Sequence, residues 1–349
     1  MIVNLWKDIK RKRFSPTYLL YGTEAFLINE TTQLLVNHVF DEGEVDFNLS
    51  SYDLEDTPIE TVIEEAETLP FIGERKLILA HNPDFLTAEK TKGKIEHNLA
   101  KLEAYLKQPA PYSILVFLAP YEKLDERKKL TKELKRQAAI LEAKKLNEAE
   151  LKNWIKERAA LNEVEIDDQA VELILNLAGT DLFMLTNEVD KLALYCQQEK
   201  KIDMIVVEQL VARSLEQNIF SLVDKIVNRK IEQAFRIYYD LLKQNEEPIK
   251  ILAMITSQFR LLYQVKEMSR RGYGQQHMAG FLKVHPYRIK LAAGQVRDFS
   301  DEELKKIMNE LAEADYKMKT GAMNKELLIE LFLFHLQDEP QKGSRVSSL

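Results

Sequence analysis

The fold of this chain is indicated by residues 18–27, YLLYGTEAFL, in which a short apolar β-strand leads directly into an α-helix. A nucleotide-binding α/β domain carries its phosphate loop at this place, and that loop needs several glycines, a Lys for the β- and γ-phosphates and a Ser or Thr for Mg²⁺. Here the stretch contains Gly22 alone, no Lys follows it, and Glu24 would repel phosphate from the positive end of the helix dipole. The stretch therefore predicts an ATPase-like fold that does not hydrolyse ATP.

The acidic half of an ATPase site is also missing from the sequence. A Walker-B strand is apolar and ends in the acid that holds the magnesium ion. One candidate strand, residues 77–80, is followed by His81-Asn82-Pro83, and another, residues 114–118, is followed by Ala119-Pro120. Together the two absences predict that the chain uses no nucleotide cofactor.

In the first part of the chain, strand-like and helix-like segments alternate. The candidate strands are short and rich in apolar or β-forming residues: 17–21, 45–52, 76–81, 113–118 and 138–142. Helical patterns lie between them at 25–40, 58–68, 95–107 and 127–137. This alternation predicts a parallel sheet covered by helices on both faces, and hence an α/β domain over residues 1–144.

Beyond residue 146 the sequence predicts helices only, so the fold class is α/β plus all-α. Residues 145–212 carry three helical patterns, the first opened by Asn147 and the third by residues 179–181. Residues 213–338 carry longer amphipathic helices, one of which follows a capping box at residues 300–303. We expect a three-helix module, then a helical bundle, then a flexible polar tail at residues 339–349.

Composition limits the function classes. The 349 residues are 45% hydrophobic and 30% charged, which is typical of a soluble globular protein of two or three domains. The N-terminus lacks the order of a signal peptide, and no apolar run approaches the roughly 20 residues that cross a bilayer. These features predict a cytoplasmic protein without a membrane partner.

Metal and thiol chemistry are not indicated either. Cys196 is the single cysteine and lies in an apolar helical pattern, which favours a packing role. The six histidines contain no pair at the i, i+4 spacing that brings two imidazoles together on a helix. We therefore predict no metal site and no catalytic residues. A catalytic pair of carboxylates stays an alternative, because the chain has 56 acidic residues.

DNA binding stays an alternative. The net charge of −7 argues against a dedicated DNA-binding protein but does not exclude a local basic patch. Residues 7–13 and 123–136 are basic, and acidic residues within the second segment favour a solvated helix face. Residues 278–295 could form a helix-turn-helix around His285-Pro286, or a turn between two packing helices. A helical DNA-binding regulator, or an enzyme with unrecognised catalytic residues, is therefore the alternative function.

The positive signal is the loop at residues 69–75, LPFIGER. It follows a helix that starts near residues 57–60 and must end by Thr68, because Pro70 disfavours helical geometry at Leu69. The apolar side chains of the loop either fold inward as local core or remain exposed as an anchor for a partner. The pattern alone favours the inward arrangement.

Several short segments occur in an order and spacing that characterise one protein family. They are residues 18–24 (YLLYGTE), 69–75 (LPFIGER), 123–125 (KLD), 128–130 (KKL), 179–182 (GTDL), 187–192 (NEVDKL), 258–262 (QFRLL) and, after Asp315, 319–321 (KTG). Through them the chain resembles the delta subunit of bacterial DNA polymerase III, the clamp-loader subunit that opens the sliding clamp.

The resemblance implies a function for each domain. Residues 1–144 would be an AAA+-like module without a working ATP site, residues 145–212 a lid, and residues 213–338 a helical collar that joins the other loader subunits. The implied partners are the sliding clamp, the ATPase and delta-prime subunits, and primed-template DNA. The implied activity is that of a non-catalytic part of a polymerase holoenzyme.

The resemblance also implies a binding site. In the family, a Leu and a Phe in the loop before the third strand anchor the clamp, and they correspond to Leu69 and Phe71. Pro70, between them, and Ile72, beside them, complete the predicted clamp-binding set. This sequence departs from a directly adjacent Leu-Phe pair. The resemblance favours the exposed arrangement of the loop over the inward one.

Overall fold

The computed structural model describes residues 2–88 and 95–336, so the predicted tail at 339–349 lies outside the described residues. The chain forms two compact units, Met1–Lys145 and Leu146–Leu349. The division lies beside the predicted end of the α/β domain. The regions predicted as separate domains, 145–212 and 213–338, share the second unit over residues 146–336.

The first unit is an α/β domain that consists of a five-stranded parallel sheet and helices. Its strands are β1 (Thr17–Gly22), β2 (Leu49–Asp53), β3 (Lys76–His81), β4 (Ser113–Ala119) and β5 (Ala139–Ala143). Its helices are α1 (Ile2–Lys10), α2 (Ala25–Val39), α3 (Val45–Asn48), α4 (Ile59–Glu67), α5 (Leu99–Lys107) and α6 (Lys129–Gln137). The strand order is β2-β3-β4-β1-β5, and every pairing is parallel. The predicted fold class is confirmed.

The burial of the central strands explains why the sheet could be predicted from the sequence. Every residue of β1 and β4 is buried, as are all residues of β3 except His81. Strands that are covered on both faces are apolar along their whole length. On one face, the core packs Leu19, Ile78, Leu115 and Phe117 against α4, α5 and α6.

Two elements of this unit differ from the sequence prediction. Residues 45–48 form the helical turn α3 rather than the start of a strand, and β2 begins only at Leu49. The alternation of Val45, Phe47 and Leu49 imitates a strand with one buried face. The unpredicted helix α1 packs on α2, where the indole Nε1 of Trp6 donates to Thr31 Oγ1 at 2.8 Å.

The second unit is helical. Its helices are α7 (Glu148–Leu161), α8 (Asp168–Ala178), α9 (Leu182–Tyr195), α10 (Met204–Leu210), α11 (Leu215–Val227), α12 (Ile231–Lys243), α13 (Pro248–Arg270), α14 (Gln275–Leu282), α15 (Pro286–Gln295), α16 (Asp301–Thr320) and α17 (Lys325–His335). Capping boxes begin α7 at Asn147 and α16 at Ser300, and the prediction of a capping box at residues 300–303 is confirmed. A large core surrounds α13, with Ile255, Phe259 and Leu262 fully buried.

The region between residues 145 and 212 contains more structure than the predicted three helices. Helix α10 follows α9, and β6 (Glu165–Ile166) pairs with β7 (Lys201–Ile202). Strands of two residues and a helix of seven are too short for their periodicity to be recognised in the sequence. Contacts between α15 and the helices before it, described below, explain why this region and the following bundle form one unit.

Gly22, at the end of β1, generates a prediction for stability. Its φ angle is +130°, and a Cβ atom there would lie 2.1 Å from the carbonyl oxygen of Ala143 in β5. We expect Gly22→Ala to lower the free energy of unfolding by about 2–4 kcal/mol, because backbone atoms must move apart. Chemical denaturation of the purified chain measures the change.

Gly43→Ala is the matched control. Gly43 also has a positive φ, +84°, but nothing lies within 4 Å of a Cβ atom placed there. Its substitution isolates the backbone strain, for which we expect about 1 kcal/mol. Equal losses of unfolding free energy for Gly22→Ala and Gly43→Ala would contradict the close approach of β1 to β5.

Candidate protein-interaction site

The turn after β1 is closed against β5. Gly22 lies opposite Ala143 in the β1–β5 ladder, and the backbone N–H of Glu24 donates to the Ala143 carbonyl at 2.9 Å. The Lys135 ammonium lies 4.9 Å from the centroid of the Tyr21 ring. The N–H of Glu24, one of the groups that could cradle a phosphate at this turn, is therefore engaged within the chain.

The polar residues at the end of β3 and just after it are bonded to β2. His81 Nε2 is 3.1 Å from Ser51 Oγ, and Asn82 Nδ2 donates to the two carboxylate oxygens of Asp53 at 3.1 and 3.0 Å. The described parts of the chain contain no group of three His, Cys, Asp or Glu residues that could hold a metal ion. Asp53 and its neighbours thus form a hydrogen-bonded sheet edge.

The loop between α4 and β3 exposes its apolar side chains. Leu69, Phe71 and Ile72 are 73%, 76% and 39% exposed, and Pro70 is half-buried. Phe47 of α3, 56% exposed, stacks on Phe71 with the ring centroids 5.4 Å apart and the planes at 19°. The inward arrangement favoured by the pattern alone is wrong. We call Phe47, Leu69, Phe71 and Ile72 the apolar tip.

The C-terminal end of α4 is fixed by groups from the neighbouring strands. The last carbonyl groups of a helix have no partner within the helix and must find one elsewhere. Ser113 Oγ donates to the Ala66 carbonyl at 2.6 Å, and Tyr112 OH donates to the Glu67 carbonyl at 2.7 Å. The loop therefore starts from a fixed position on the sheet.

Lys76, the first residue of β3, holds the same helix end. It is almost fully buried, and its ammonium donates to the Glu65 carbonyl at 3.1 Å, to Glu65 Oε1 and to Thr68 Oγ1 at 2.6 Å. A buried ammonium is tolerated only when it is paired and hydrogen-bonded, as here. This contact joins the end of α4 to the strand that follows the loop.

The N-terminal end of α4 is capped by a histidine. The backbone N–H of Ile59 donates to His97 Nδ1 at 3.2 Å, and Glu60 Oε2 accepts from the Asn98 N–H at 3.0 Å. Pro58 is the N-cap residue and makes no side-chain cap. The helix that carries the tip is thus held at both ends.

Asn48 holds the loop itself. Its side chain is fully buried, and its carboxamide exchanges two hydrogen bonds with the loop backbone. Nδ2 donates to the Ile72 carbonyl at 2.6 Å, and Oδ1 accepts from the Phe71 N–H at 2.9 Å. Gly73, with φ +71°, then turns the chain beside the Glu44 carboxylate, where a Cβ atom would lie 2.2 Å from Glu44 Oε1.

Phe47 and Asn48 were not predicted as site residues from the sequence. A strand over residues 45–52 would put Phe47 on the same face as Val45 and Leu49, and Asn48 on the other face. In the structure Phe47 is exposed and Asn48 is buried. One signal was available, because residues 41–46 (DEGEVD) are dominated by Asp, Glu and Gly, which are depleted in strands.

The segment considered for a helix-turn-helix is engaged inside the second unit. His285 Nε2 contacts the Leu146 carbonyl, Tyr287 OH donates to Asn176 Oδ1 at 2.7 Å, and Lys290 pairs with Glu148 at 2.9 Å. These residues lie on and just before α15, the helix that would enter a DNA groove. The geometry favours the alternative of a turn between two packing helices.

The basic segment at residues 123–136 is largely paired with acids, as its composition suggested. Arg127 pairs with Asp125 at 2.9 Å and lowers the pKa of that carboxyl to about 2. Lys129 pairs with Glu103 at 2.8 Å and Lys135 with Glu126 at 2.6 Å. The charged side chains of this segment, on α6 and just before it, therefore carry their own counter-charges.

Comparison with known proteins identifies the family. The sequence profile described as DNA polymerase III, delta subunit, matches residues 18–144, and a profile of the C-terminal domain of the same family matches residues 216–336. A third profile, described as a middle domain, matches residues 147–209. The DNA polymerase III subunit delta of Bacillus subtilis (strain 168) is 49% identical over 343 residues, covering 98% of this chain and 99% of that protein. The chain belongs to the DNA polymerase III delta subunit family.

A second relative and a solved structure agree with this family. The probable DNA polymerase III subunit delta of Aquifex aeolicus (strain VF5) is 23% identical over 257 residues, covering 73% of this chain and 72% of that protein. The solved structure of the Bacillus subtilis DNA clamp loader delta protein superposes with a TM-score of 0.88 at 50% identity, covering 97% of this chain and 100% of that one. The family resemblance expected from the sequence is confirmed, and the chain is a DNA replication subunit. Among the described residues, no helix is both long and apolar enough to cross a membrane.

Replacement of Lys76 tests the anchor of the tip. We expect Lys76→Met to lower the free energy of unfolding by about 2–4 kcal/mol, because the Glu65 carbonyl and carboxylate lose a buried donor. Denaturant unfolding measures the loss. Lys101→Met is the control, since Lys101 pairs with Glu64 at 2.8 Å in a more exposed setting, for which we expect about 0–1 kcal/mol. Similar losses of unfolding free energy for both variants would contradict the role of Lys76 in holding the end of α4.

Cys196 offers a test of the thiol. Its burial, assisted by the carboxylates of Glu199 and Asp203, raises the pKa of the thiol, so less of the reactive thiolate is present at a given pH. We expect the folded chain to react slowly with a thiol reagent at mildly alkaline pH, and the denatured chain to react at once. Rapid reaction of the native chain would contradict the packing role.

Proposed function

We propose that this chain is a clamp-loader subunit that binds the sliding clamp through the apolar tip and favours its open form, without hydrolysing ATP itself. The observation that carries the proposal is the exposure of Leu69 and Phe71 on a loop whose backbone is bonded to Asn48. Family membership and the likeness to a clamp loader delta protein support the role.

The tip has the properties of a binding anchor. A Leu and a Phe that are largely exposed in the free chain gain roughly 1.5–3 kcal/mol each when a partner buries them. Losing both would therefore weaken binding by about two to four powers of ten. Because the loop is already ordered, little binding energy is spent on arranging it.

Clamp opening requires a difference in affinity. A ligand shifts a ring between closed and open forms only to the extent that it binds the open form better. We propose that the tip supplies this difference, and that neighbouring ATPase subunits control when the tip is accessible. The delta-prime subunit and primed-template DNA complete the proposed assembly. The proposed site of action is the cytoplasm.

The proposal that the chain does not hydrolyse ATP rests on the turn after β1. The turn carries Gly22 as its one glycine, its Glu24 N–H is bonded to Ala143, and an acidic side chain follows where phosphate would bind. The sequences after β3 and β4 place no Asp-Glu pair at the strand ends. No observation favours the alternative enzyme, and the engaged side chains around α15 argue against the DNA-binding regulator.

The first test is binding of the chain to the sliding clamp of its own organism in the absence of nucleotide. We expect the wild-type chain to bind and Leu69→Ala/Phe71→Ala to bind about 100-fold or more weakly, because both anchors are lost. Surface plasmon resonance measures the affinity. A fluorophore pair across one clamp interface reports opening in the same samples.

A matched control variant is Leu194→Ala/Phe281→Ala. These two side chains are each 73% exposed, close to the exposure of Leu69 and Phe71, and both lie in the second unit. We expect this variant to bind and open the clamp as the wild type does. Clamp binding that survives loss of both tip residues would move the site elsewhere, and clamp opening that survives it would refute the tip as the opening element.

A further inference from the structure

Helix α3 and the loop at residues 69–75 meet through two kinds of contact. The Asn48 carboxamide bonds the Phe71 N–H and the Ile72 carbonyl, and the Phe47 ring stacks on the Phe71 ring at 5.4 Å. Adjacent residues of one helical turn therefore reach the same loop residue, one through its backbone and one through its side chain.

The Asn48 contact determines the conformation of the loop. A carboxamide has both a donor and an acceptor, so it can bond a backbone N–H and a backbone carbonyl of the loop at the same time. Asn48 is fully buried, so its carboxamide is shielded from water and depends on these two bonds. Without Asn48, the Phe71 N–H and the Ile72 carbonyl would lose these partners, and other loop conformations would become accessible.

The Phe47 contact extends the apolar surface. Phe47 is about half exposed although it is stacked, so its free face continues the surface formed by Leu69, Phe71 and Ile72. A partner that covers Phe71 would cover part of Phe47 as well. Aromatic side chains in the centre of such a surface contribute strongly to binding.

We propose that α3 is a second segment of the clamp-binding site, in which Phe47 is a direct apolar contact and Asn48 is a positioning residue that holds the loop in its binding conformation. This inference rests on the proposed function and deepens it. The site is then formed by two segments that are far apart in sequence, and part of its affinity comes from order that exists before the clamp is met.

The contact is tested with Phe47→Ala. We expect about a tenfold loss of clamp affinity, because a half-exposed aromatic ring no longer becomes buried on binding. Phe183→Ala is the matched control, since Phe183 is 57% exposed, against 56% for Phe47, and lies on α9 in the other unit. We expect Phe183→Ala to bind the clamp with the affinity of the wild type.

The positioning role is tested with Asn48→Ala and Asn48→Asp. We expect Asn48→Ala to weaken clamp binding about tenfold or more and to speed hydrogen exchange of the Phe71 amide, because the loop is no longer held. Asn48→Asp keeps an acceptor for the Phe71 N–H but sets an oxygen in place of the donor against the Ile72 carbonyl, so we expect its affinity to fall as well. Asn48→Asp also tests the positioning role if Asn48→Ala does not fold.

A double-mutant cycle separates positioning from general stability. If Asn48 acts through Phe71, the loss caused by Asn48→Ala becomes smaller when Phe71 is already Ala. An undiminished loss in that background, or wild-type affinity of Phe47→Ala or of both Asn48 variants, overturns the inference. If Leu69→Ala/Phe71→Ala also binds as the wild type does, the proposed function fails too. If that variant loses binding, only the role of α3 is rejected.

Discussion

The carbonyl groups at the end of α4 impose the constraint on which the tip depends. They need donors, and two of these come from residues that face each other in the sheet, because Lys76 of β3 lies opposite Ser113 of β4. Lys76 bonds the Glu65 carbonyl and Ser113 bonds the Ala66 carbonyl. The register of the β3–β4 pair therefore determines where the helix ends and where the loop begins.

A loop that is held in this way can expose large apolar side chains and remain ordered. Exposed apolar residues in a mobile segment would lose much of their binding energy to the entropy of ordering it. Here Asn48 bonds the backbone at Phe71 and Ile72, so the exposed rings project from a fixed main chain. Exposure and order together distinguish the tip from scattered apolar residues on the surface.

The sequence predicted the elements with strong local patterns and missed those that depend on distant contacts. Central strands such as β4 were evident because burial on both faces makes them uniformly apolar. Helix α3 was mistaken for a strand because Val45, Phe47 and Leu49 alternate with polar residues. The loop that exposes Leu69 and Phe71 is bonded to Asn48, which no local pattern links to it, so only the family resemblance favoured the exposed arrangement.

The tip and the closed turn after β1 belong to the same unit, and together they bear on when the clamp could be bound. The contacts that order the tip come from Asn48, Lys76 and Ser113, and Glu24 at the turn is bonded to Ala143. Under the proposed role, a tip that is ordered by its own chain is competent to bind the clamp at any time, so the timing must come from neighbours that cover or expose it. A tenfold preference for the open clamp shifts its equilibrium by about 1.4 kcal/mol, so covering the tip would restore the closed form.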